Sequence, residues 1–515
     1  MPILNRAHSN KQTNTTTTPA NINSNLNHSA PNLQSQNSNS HPHHDQNRIE
    51  QSISNQEINQ QEDNDTKFKQ LLSVLKKAVG VKDLGNMRLS LPANLITPMG
   101  NLEYWCYLDR PDVFSAINES ESELERMLAV LRWTFTKDSK FIHGPICKPY
   151  NSVLGEQFRC WYDVDPIKID PITGEFNQYE TTSEDSTSLT EKHNEERTST
   201  VTTSNTNEHN SRNNSSNHNK EKENRVVFLN EQVSHHPPIS CFWYESRNRS
   251  NQVLVQSYGV DQISAKFTGT SLKVFPGELN KGIFVRLPNR DEEYQITHPT
   301  ATITGLLRAS PYVIISDYTY ITCRNSNGDG NGKLRAMINY LEESWIGKPK
   351  FLIEGIIYEI NDKINEPMEY TKIKQVPNEL IKVRFKGNWR EKIEYEILGS
   401  ENENSTNSKL LIDLSILKPL DKSIKLEQDQ EINESRKFWK DLTFLIKSKN
   451  FSEATKLKLN IEQTQRDLVK KRENNQKSNF LPKLFDNSIW KENGKPLLIE
   501  SGSVALQKEF DYVFS

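Results

Sequence analysis

The sequence lacks any long apolar run, and no stretch approaches the ~20 consecutive apolar residues that a membrane-crossing helix needs. The first residues hold no apolar core of the kind a secretory leader carries, so no such signal is expected. Cysteine is scarce and scattered. The five residues Cys106, Cys147, Cys160, Cys241 and Cys323 form no Cys-x-x-Cys pair, which argues against a disulfide framework and suits a reducing compartment. An excess of one charge is also missing. With 64 basic and 67 acidic residues the formal charge is −3, so the chain is no polycation of the nucleic-acid-binding kind, and any anion must be held by a local cluster. Large apolar side chains are nearly absent from residues 1–66, which are Asn, Gln, Ser, Thr and His, and such a segment buries too little surface to fold. A second polar tract spans 181–223 and a short third one 399–408. Roughly 400 residues remain from Lys67 onward, ample for one large core.

The remainder has a clear order. Phe68, Leu71, Leu72, Leu75 and Val79 recur at helical spacing behind Asp65, a candidate N-cap, with Lys67, Lys69, Lys76 and Lys77 on the other faces and Gly80 and Gly85 beyond. This short basic amphipathic helix either docks on the core or serves as a mobile lid that touches membranes. Leu89–Pro98 reads as extended. Ser122–Phe135 predicts a helix with Leu124, Leu128, Leu131 and Phe135 on its core face. From Val153 to Trp389 short β-branched and aromatic runs follow one another: Val226–Asn230, Ile239–Tyr244, Gln252–Tyr258, Ser271–Phe275, Gly282–Arg286, Tyr312–Ser316, Thr319–Cys323, Lys333–Tyr340 and Lys350–Glu359. Strands in such a series predict one large antiparallel sheet, closed or nearly closed as a barrel. With more than about eight strands a barrel has room for a ligand. Helices return at Arg436–Ser448 and at Asn450–Arg472, the latter with Ala454, Leu457, Ile461 and Leu468 as its buried stripe. The tail beyond Glu473 is expected to wrap the barrel.

Three motifs carry chemistry. In Glu231-Gln232-Val233-Ser234-His235-His236-Pro237-Pro238 two imidazoles precede two prolines, which lack N–H donors and force the strand to end or reach an edge. That puts two titratable donors at a rigid strand end, where they can converge on an anion, and a phosphate there would favour their charged form. A metal site would need further ligands that the sequence does not place, and a pair of structural histidines capping a turn is the plainer alternative. In Lys148-Pro149-Tyr150-Asn151-Ser152-Val153-Leu154-Gly155-Glu156, Lys148 offers a point charge and Asn151 a donor three residues on. Alone, a lysine before a proline is usually only solvated. Lys458, Glu462 and Arg466 share one face of the last strong helix. They form either an ordinary i,i+4 ladder worth a few tenths of a kcal/mol per pair or, with Glu462 orienting its neighbours, a fork for a phosphate.

Taken together these motifs resemble the oxysterol-binding-protein-related lipid transporters, from about Lys67 to Asp486 apart from the polar insert. Glu231–Pro238 matches the family fingerprint. Lys148–Glu156 is similar to its Lys-Pro-x-Asn-Pro-x-Leu-Gly-Glu motif, with Ser152 in place of the second proline. Lys458-Leu-Asn-Ile-Glu-Gln-Thr-Gln-Arg466 matches its C-terminal basic helix. The run Leu91–Pro98 before Tyr104-Trp105 looks most like the compact, sterol-binding yeast-type members. The resemblance implies an incomplete antiparallel barrel around an apolar tunnel, with an N-terminal lid helix and C-terminal helices. On that reading 1–66 is a disordered tail and 67–490 the lipid-binding domain, with its lid at 67–95 and insert at 181–223. Residues 491–515 form a C-terminal tail.

The resemblance further implies that Lys148, Asn151, His235, His236, Lys458 and Arg466 grip the phosphates of phosphatidylinositol 4-phosphate, with Glu462 in support. Phe68, Leu71, Leu72 and Leu75 would form the lid face over the bound lipid. The implied protein is a monomeric, cytoplasmic exchanger of sterol for phosphatidylinositol 4-phosphate, reversibly on membrane surfaces, with no cofactor, metal or nucleic acid. Two alternatives stay open: phosphatidylserine as the cargo, and a phosphoinositide or sterol sensor that transports nothing. An enzyme is the third class. His235, His236 and Glu231 offer hydrolytic groups, but no nucleophile with a positioned base accompanies them.

Overall fold

The computed structural model describes residues 69–70, 73–74, 76, 80, 93–137, 139–144, 146, 148–176, 222–308, 310–325, 334–343, 347–360, 370–399, 408–474, 480–487 and 489–513. The lid positions Phe68, Leu71, Leu72 and Leu75, residues 1–66, all of the insert 181–223 but its last two residues, and Cys147 lie outside them. The strands are β1 Gln157–Val164, β2 Asn224–His235, β3 Pro238–Asn248, β4 Val253–Asp261, β5 Ile263–Phe267, β6 Leu272–Pro276, β7 Ile283–Leu287, β8 Glu292–Ile296, β9 Thr300–Thr304, β10 Tyr312–Asn325, β11 Leu334–Tyr340, β12 Leu352–Glu359, β13 Ile381–Asn388, β14 Lys392–Ile397 and β15 Lys409–Asp413.

All belong to one antiparallel sheet in the order β1-β2-β3-β4-β7-β8-β10-β11-β12-β13-β14-β15, with β5, β6 and β9 forming a branch that joins β10. The runs Tyr312–Ser316 and Thr319–Cys323, read as two strands in the sequence, are one. β10 changes partners at Asp317, a non-glycine residue at φ 73: its first half pairs with β9 and its second with β8 and β11.

The sheet does not close, since β1 and β15 do not pair among the described residues. An open edge presents unpaired backbone groups that invite aggregation, and here both edges are covered by irregular chain. Trp161 of β1 exchanges backbone hydrogen bonds with Ser423, at 3.0 and 2.8 Å, and the Gln157 N–H donates to Asn433 O at 2.9 Å. On β15 the Leu410 N–H donates to Thr173 O at 2.9 Å.

Both faces of the β1–β4 region are buried. On β2, Val226 and Phe228 face the interior while Val227, Leu229 and Val233 face outward, the period-two alternation of a strand. The outward set packs against Leu484, Phe485, Ala505 and Leu506, so the C-terminal chain lies on this face through the Glu500–Phe510 helix. Inside the sheet sits the helix Glu123–Thr136, capped by Ser122 and buried at every position from Met127 to Thr136 except Ala129. The sequence suggested one core face for it. Its two interior arginines are instead accommodated by polar partners: Arg126 Nε donates to Glu292 Oε2 at 2.8 Å and Arg132 Nε donates to Leu411 O at 3.1 Å. The late helices are Ser435–Phe438, Lys440–Lys447 and Phe451–Asn474. Of the expected stripe on the last, Ala454 is buried and Leu457 and Ile461 are half-buried, but Leu468 is 40% exposed. No helix among the described residues is long and apolar enough to cross a membrane.

Candidate functional site

The His235-His236 pair sits on the β2–β3 hairpin. Strand β2 runs to His235 and β3 begins at Pro238, so Pro238 occupies a strand start, where its missing N–H costs nothing. The register slips between Gln232 and Ser234. A bulge of this kind re-aims side chains, and it brings two successive imidazoles to one strand end. Their ring centroids are 4.6 Å apart, His235 half-buried and His236 exposed. The turn is held by Ser234 Oγ, which donates to Pro237 O at 2.8 Å.

Backbone pairing joins this hairpin to the second motif. The Gly155 N–H donates to Gln232 O and the Gln232 N–H donates to Glu156 O, both at 2.9 Å. Gly155 has φ +82, and a Cβ there would meet the Phe480 ring at 3.2 Å, so glycine is needed on both counts. Upstream, Lys148 Nζ donates to Asn151 Oδ1 at 2.7 Å and to Pro149 O at 2.9 Å.

The Lys148 ammonium is pushed down to about 8, chiefly because protein surrounds it and secondly because of the like charge of Lys458. Lys148 is nonetheless exposed to water. Water contact tempers the downward push without reversing it.

Glu156 anchors the motif from beneath. It is fully buried and accepts from the Val153 N–H at 2.9 Å, Ser435 Oγ at 2.6 Å and Trp439 Nε1 at 3.0 Å. Burial pushes its carboxyl up to about 7 against the pull of those three donors. Tyr150 adds a ring contact to Trp439 at 4.8 Å and a hydrogen bond to Thr443 Oγ1 at 2.9 Å. Sequence reading took Glu156 only as a motif member. The signal available was Ser435 and Trp439, two side-chain donors four residues apart at the start and the C-cap of the Ser435–Phe438 helix.

Glu156→Ala would strand three donors and is expected to cost about 2–4 kcal/mol in chemical denaturation. The pH dependence has a definite sign. A carboxyl raised in the fold stabilises most below its unfolded value near 4.5 and loses that contribution as pH rises through 7. Between pH 5 and 8 the wild type should therefore lose stability relative to Glu156→Gln, and parallel curves would contradict the assignment.

The third motif meets the second through the apolar cluster of Tyr150, Val153, Trp439, Leu442 and Ala454, against which Leu457 and Ile461 pack. On the Phe451–Asn474 helix Lys458 Nζ donates to Glu462 Oε1 at 2.5 Å and Arg466 Nη2 donates to Glu462 Oε2 at 3.4 Å. The i,i+4 ladder is thus present, and it holds both cations along one face, with Lys458 near enough to Lys148 for its charge to be felt. Helical residues Gln70 and Val74 reach the same place. Gln70 Oε1 accepts from Asn94 Nδ2 at 2.9 Å, and Val74 packs on the Tyr150–Trp439 cluster.

Glu231 stands apart from this chemistry. It is fully buried, its two oxygens accept from the Lys483 and Leu484 N–H groups at 2.8 Å each, and burial raises its pKa. It clamps the C-terminal chain rather than facing the histidines as a base. The described residues hold no group of three or more His, Cys, Asp or Glu side chains able to bind a metal.

Residues 70–503 match the family model described as oxysterol-binding protein. The chain belongs to the oxysterol-binding-protein family. Within that family it is 37% identical over 489 residues to oxysterol-binding protein-like protein 1 of Schizosaccharomyces pombe, covering 86% of this chain and 91% of that one. It is 26% identical over 381 residues to oxysterol-binding protein-related protein 9 of Xenopus tropicalis, 74% of this chain but only 42% of that protein. Among solved structures it is similar to the Osh3 ORD in complex with PI(4)P from Saccharomyces cerevisiae, with a TM-score of 0.52, 16% identity, and 86% and 93% of the two chains covered. It is likewise similar to the Osh1 ORD domain in complex with cholesterol, with a TM-score of 0.50, 18% identity, and 86% and 88% covered. The fold is therefore that of the family's lipid-binding domain.

Proposed function

We propose that the protein is a lipid exchanger that carries sterol in one direction and phosphatidylinositol 4-phosphate in the other through one shared cavity inside the sheet. The observation that carries this reading is convergence. Three motifs spread from Lys148 to Arg466 are tied together by backbone bonds, a common apolar cluster and the mutual field of Lys148 and Lys458. Lys148, Lys458 and Arg466 supply positive charge, Asn151, His235 and His236 supply donors, and Glu462 holds its two cations in register. Such a set suits a dianionic phosphate monoester on a lipid headgroup. The acyl chains would run into the apolar interior, with the Phe68, Leu71, Leu72 and Leu75 face as the lid. Relatives of the same fold hold cholesterol and PI(4)P, which supports these two as the cargo. Burying a lipid spares it roughly 25 cal/mol per Å² of apolar exposure during transit. Mutual exclusion from one cavity couples the two flows, and lid closure releases the loaded protein from the membrane surface.

Transfer between two liposome populations tests this directly, with sterol, phosphatidylserine and phosphatidylinositol 4-phosphate scored in parallel. Sterol and phosphoinositide moving in opposite directions is the expected result. Counter-movement of phosphatidylserine would replace the sterol, and phosphoinositide binding with no transfer of any lipid would leave a sensor.

A further inference from the structure

Glu231 opens the fingerprint, four residues before His235, and the headgroup chemistry makes no use of it. It shares the outward face of β2 with Val227 and Leu229, so its carboxylate meets the C-terminal chain and not the interior. The two N–H groups it accepts from, those of Lys483 and Leu484, lie 252 and 253 positions along the sequence. The same two residues are held from the other side. Ser501 Oγ donates to Lys483 O at 2.5 Å, and the Ile499 N–H donates to Leu484 O at 3.0 Å. Gly502 fits closely there, since a Cβ on it would stand 2.1 Å from Leu484 O. Lys483 and Leu484 are thus fixed between β2 and the start of the Glu500–Phe510 helix.

Both strands of the histidine hairpin rest on this chain. Val233 of β2 and Ile239 of β3 are buried in one cluster with Leu484 and Phe485. Ile239 pairs with Ser234 just past the register slip, and His235 and His236 lie between Val233 and Ile239. Apolar contact alone would cover this face, but it is non-directional and lets one chain slide along another. A buried carboxylate is costly without directed partners. Two backbone N–H groups supply them here, and they fix where the C-terminal chain lies along β2.

We propose that Glu231 is a positioning residue: by clamping the C-terminal chain against the hairpin it holds the register slip in place and so aims His235 and His236 at the phosphate. A slip leaves the strand beyond it to be placed by something other than its ladder, and binding groups must be held to within about 0.5 Å of their productive geometry. The clamp and the Val233–Ile239 packing give that support. The interior where a sterol would sit lies on the opposite face of β2, with Val226 and Phe228, so loosening the clamp leaves it unchanged. This proposal rests on the exchanger reading and adds that a segment remote in sequence sets the grip on one of its two cargoes.

The test measures phosphatidylinositol 4-phosphate extraction from liposomes and fluorescent-sterol binding on the full chain. Glu231→Leu should lower phosphoinositide extraction about tenfold, the worth of one misaligned hydrogen bond to a charged group, and leave sterol binding within about twofold. Glu231→Gln keeps one acceptor and should restore part of the loss. Gly502→Ala displaces Leu484 without altering β2, and it should show the same selective loss, which keeps the test decisive where Glu231→Leu does not fold. In protein already carrying His235→Ala and His236→Ala, either change should lower the residual phosphoinositide binding by less than about twofold, because residues that act through one another are not additive. Equal losses of both ligands in the folded variants, or the full loss repeated without the histidines, would make the clamp a matter of stability alone and overturn the proposal. Wild type that extracts no phosphoinositide would instead remove the exchanger reading, and this proposal with it, before any variant is compared.

Discussion

Replacement of both His235 and His236 by alanine should lower phosphoinositide extraction by about a hundredfold or more while leaving sterol binding within about twofold of wild type. The first figure follows from losing two hydrogen bonds to a charged group, worth roughly 1.5–3 kcal/mol each. The second follows from position. The imidazoles lie at the hairpin between β2 and β3, half-buried and exposed, outside the apolar interior that a sterol would fill. Their removal also spares the hairpin's own bonds, since the turn is held by Ser234 Oγ on Pro237 O and the neighbouring chain by Gln232 on Gly155 and Glu156. Fluorescent-sterol binding and phosphoinositide extraction from liposomes, measured on one preparation, separate the two effects. Equal loss of both ligands would return the pair to the turn-capping role that the sequence left open.

The arrangement within each motif was legible because each motif is local, and the spacing within it fixes its side chains. What joins the motifs is long-range and left little trace. The Ser435–Glu156 bond spans 279 positions, and nothing near Glu156 in the sequence names its partner. The interior helix was placed correctly by its Leu124, Leu128 and Leu131 spacing. Its burial on the remaining faces was hidden by Arg126 and Arg132, which read as solvent-facing until Glu292 and the Leu411 carbonyl supply their partners.

Strand continuity was obscured in a similar way. Asp317 reads as a turn between two strands, whereas it bends one strand between two sets of partners. An incomplete barrel was expected only through the family resemblance. The physical reason the sheet can stay open is that Ser423, Asn433 and Thr173 cover its edges, and none of these residues carries a strand-like pattern.

Phosphoinositide affinity should fall as pH rises above about 8, and Lys148 should be the cause. In the unliganded protein its ammonium is lowered to about 8 by enclosure and by Lys458. A bound phosphate restores the charged form, so above pH 8 binding must take up a proton, and affinity should drop by up to about tenfold per pH unit. The phosphate itself stays dianionic across pH 7–9.5, because its second ionisation lies near 6.

Stability without ligand should run the other way. The unfolded lysine ionises near 10.5, so between about 8 and 10.5 the unfolded chain binds more protons and the fold gains stability as pH rises. Opposite slopes from one residue are hard to produce by general loss of structure. Lys148→Met should abolish both components, bind phosphoinositide about tenfold to a hundredfold more weakly at pH 7, and leave sterol affinity flat with pH. Liposome extraction and thermal melts at half-unit intervals from pH 7 to 9.5 supply both curves. A wild-type affinity independent of pH, or the same slope in Lys148→Met, would take Lys148 out of the phosphate site and leave Lys458 and Arg466 to carry its charge.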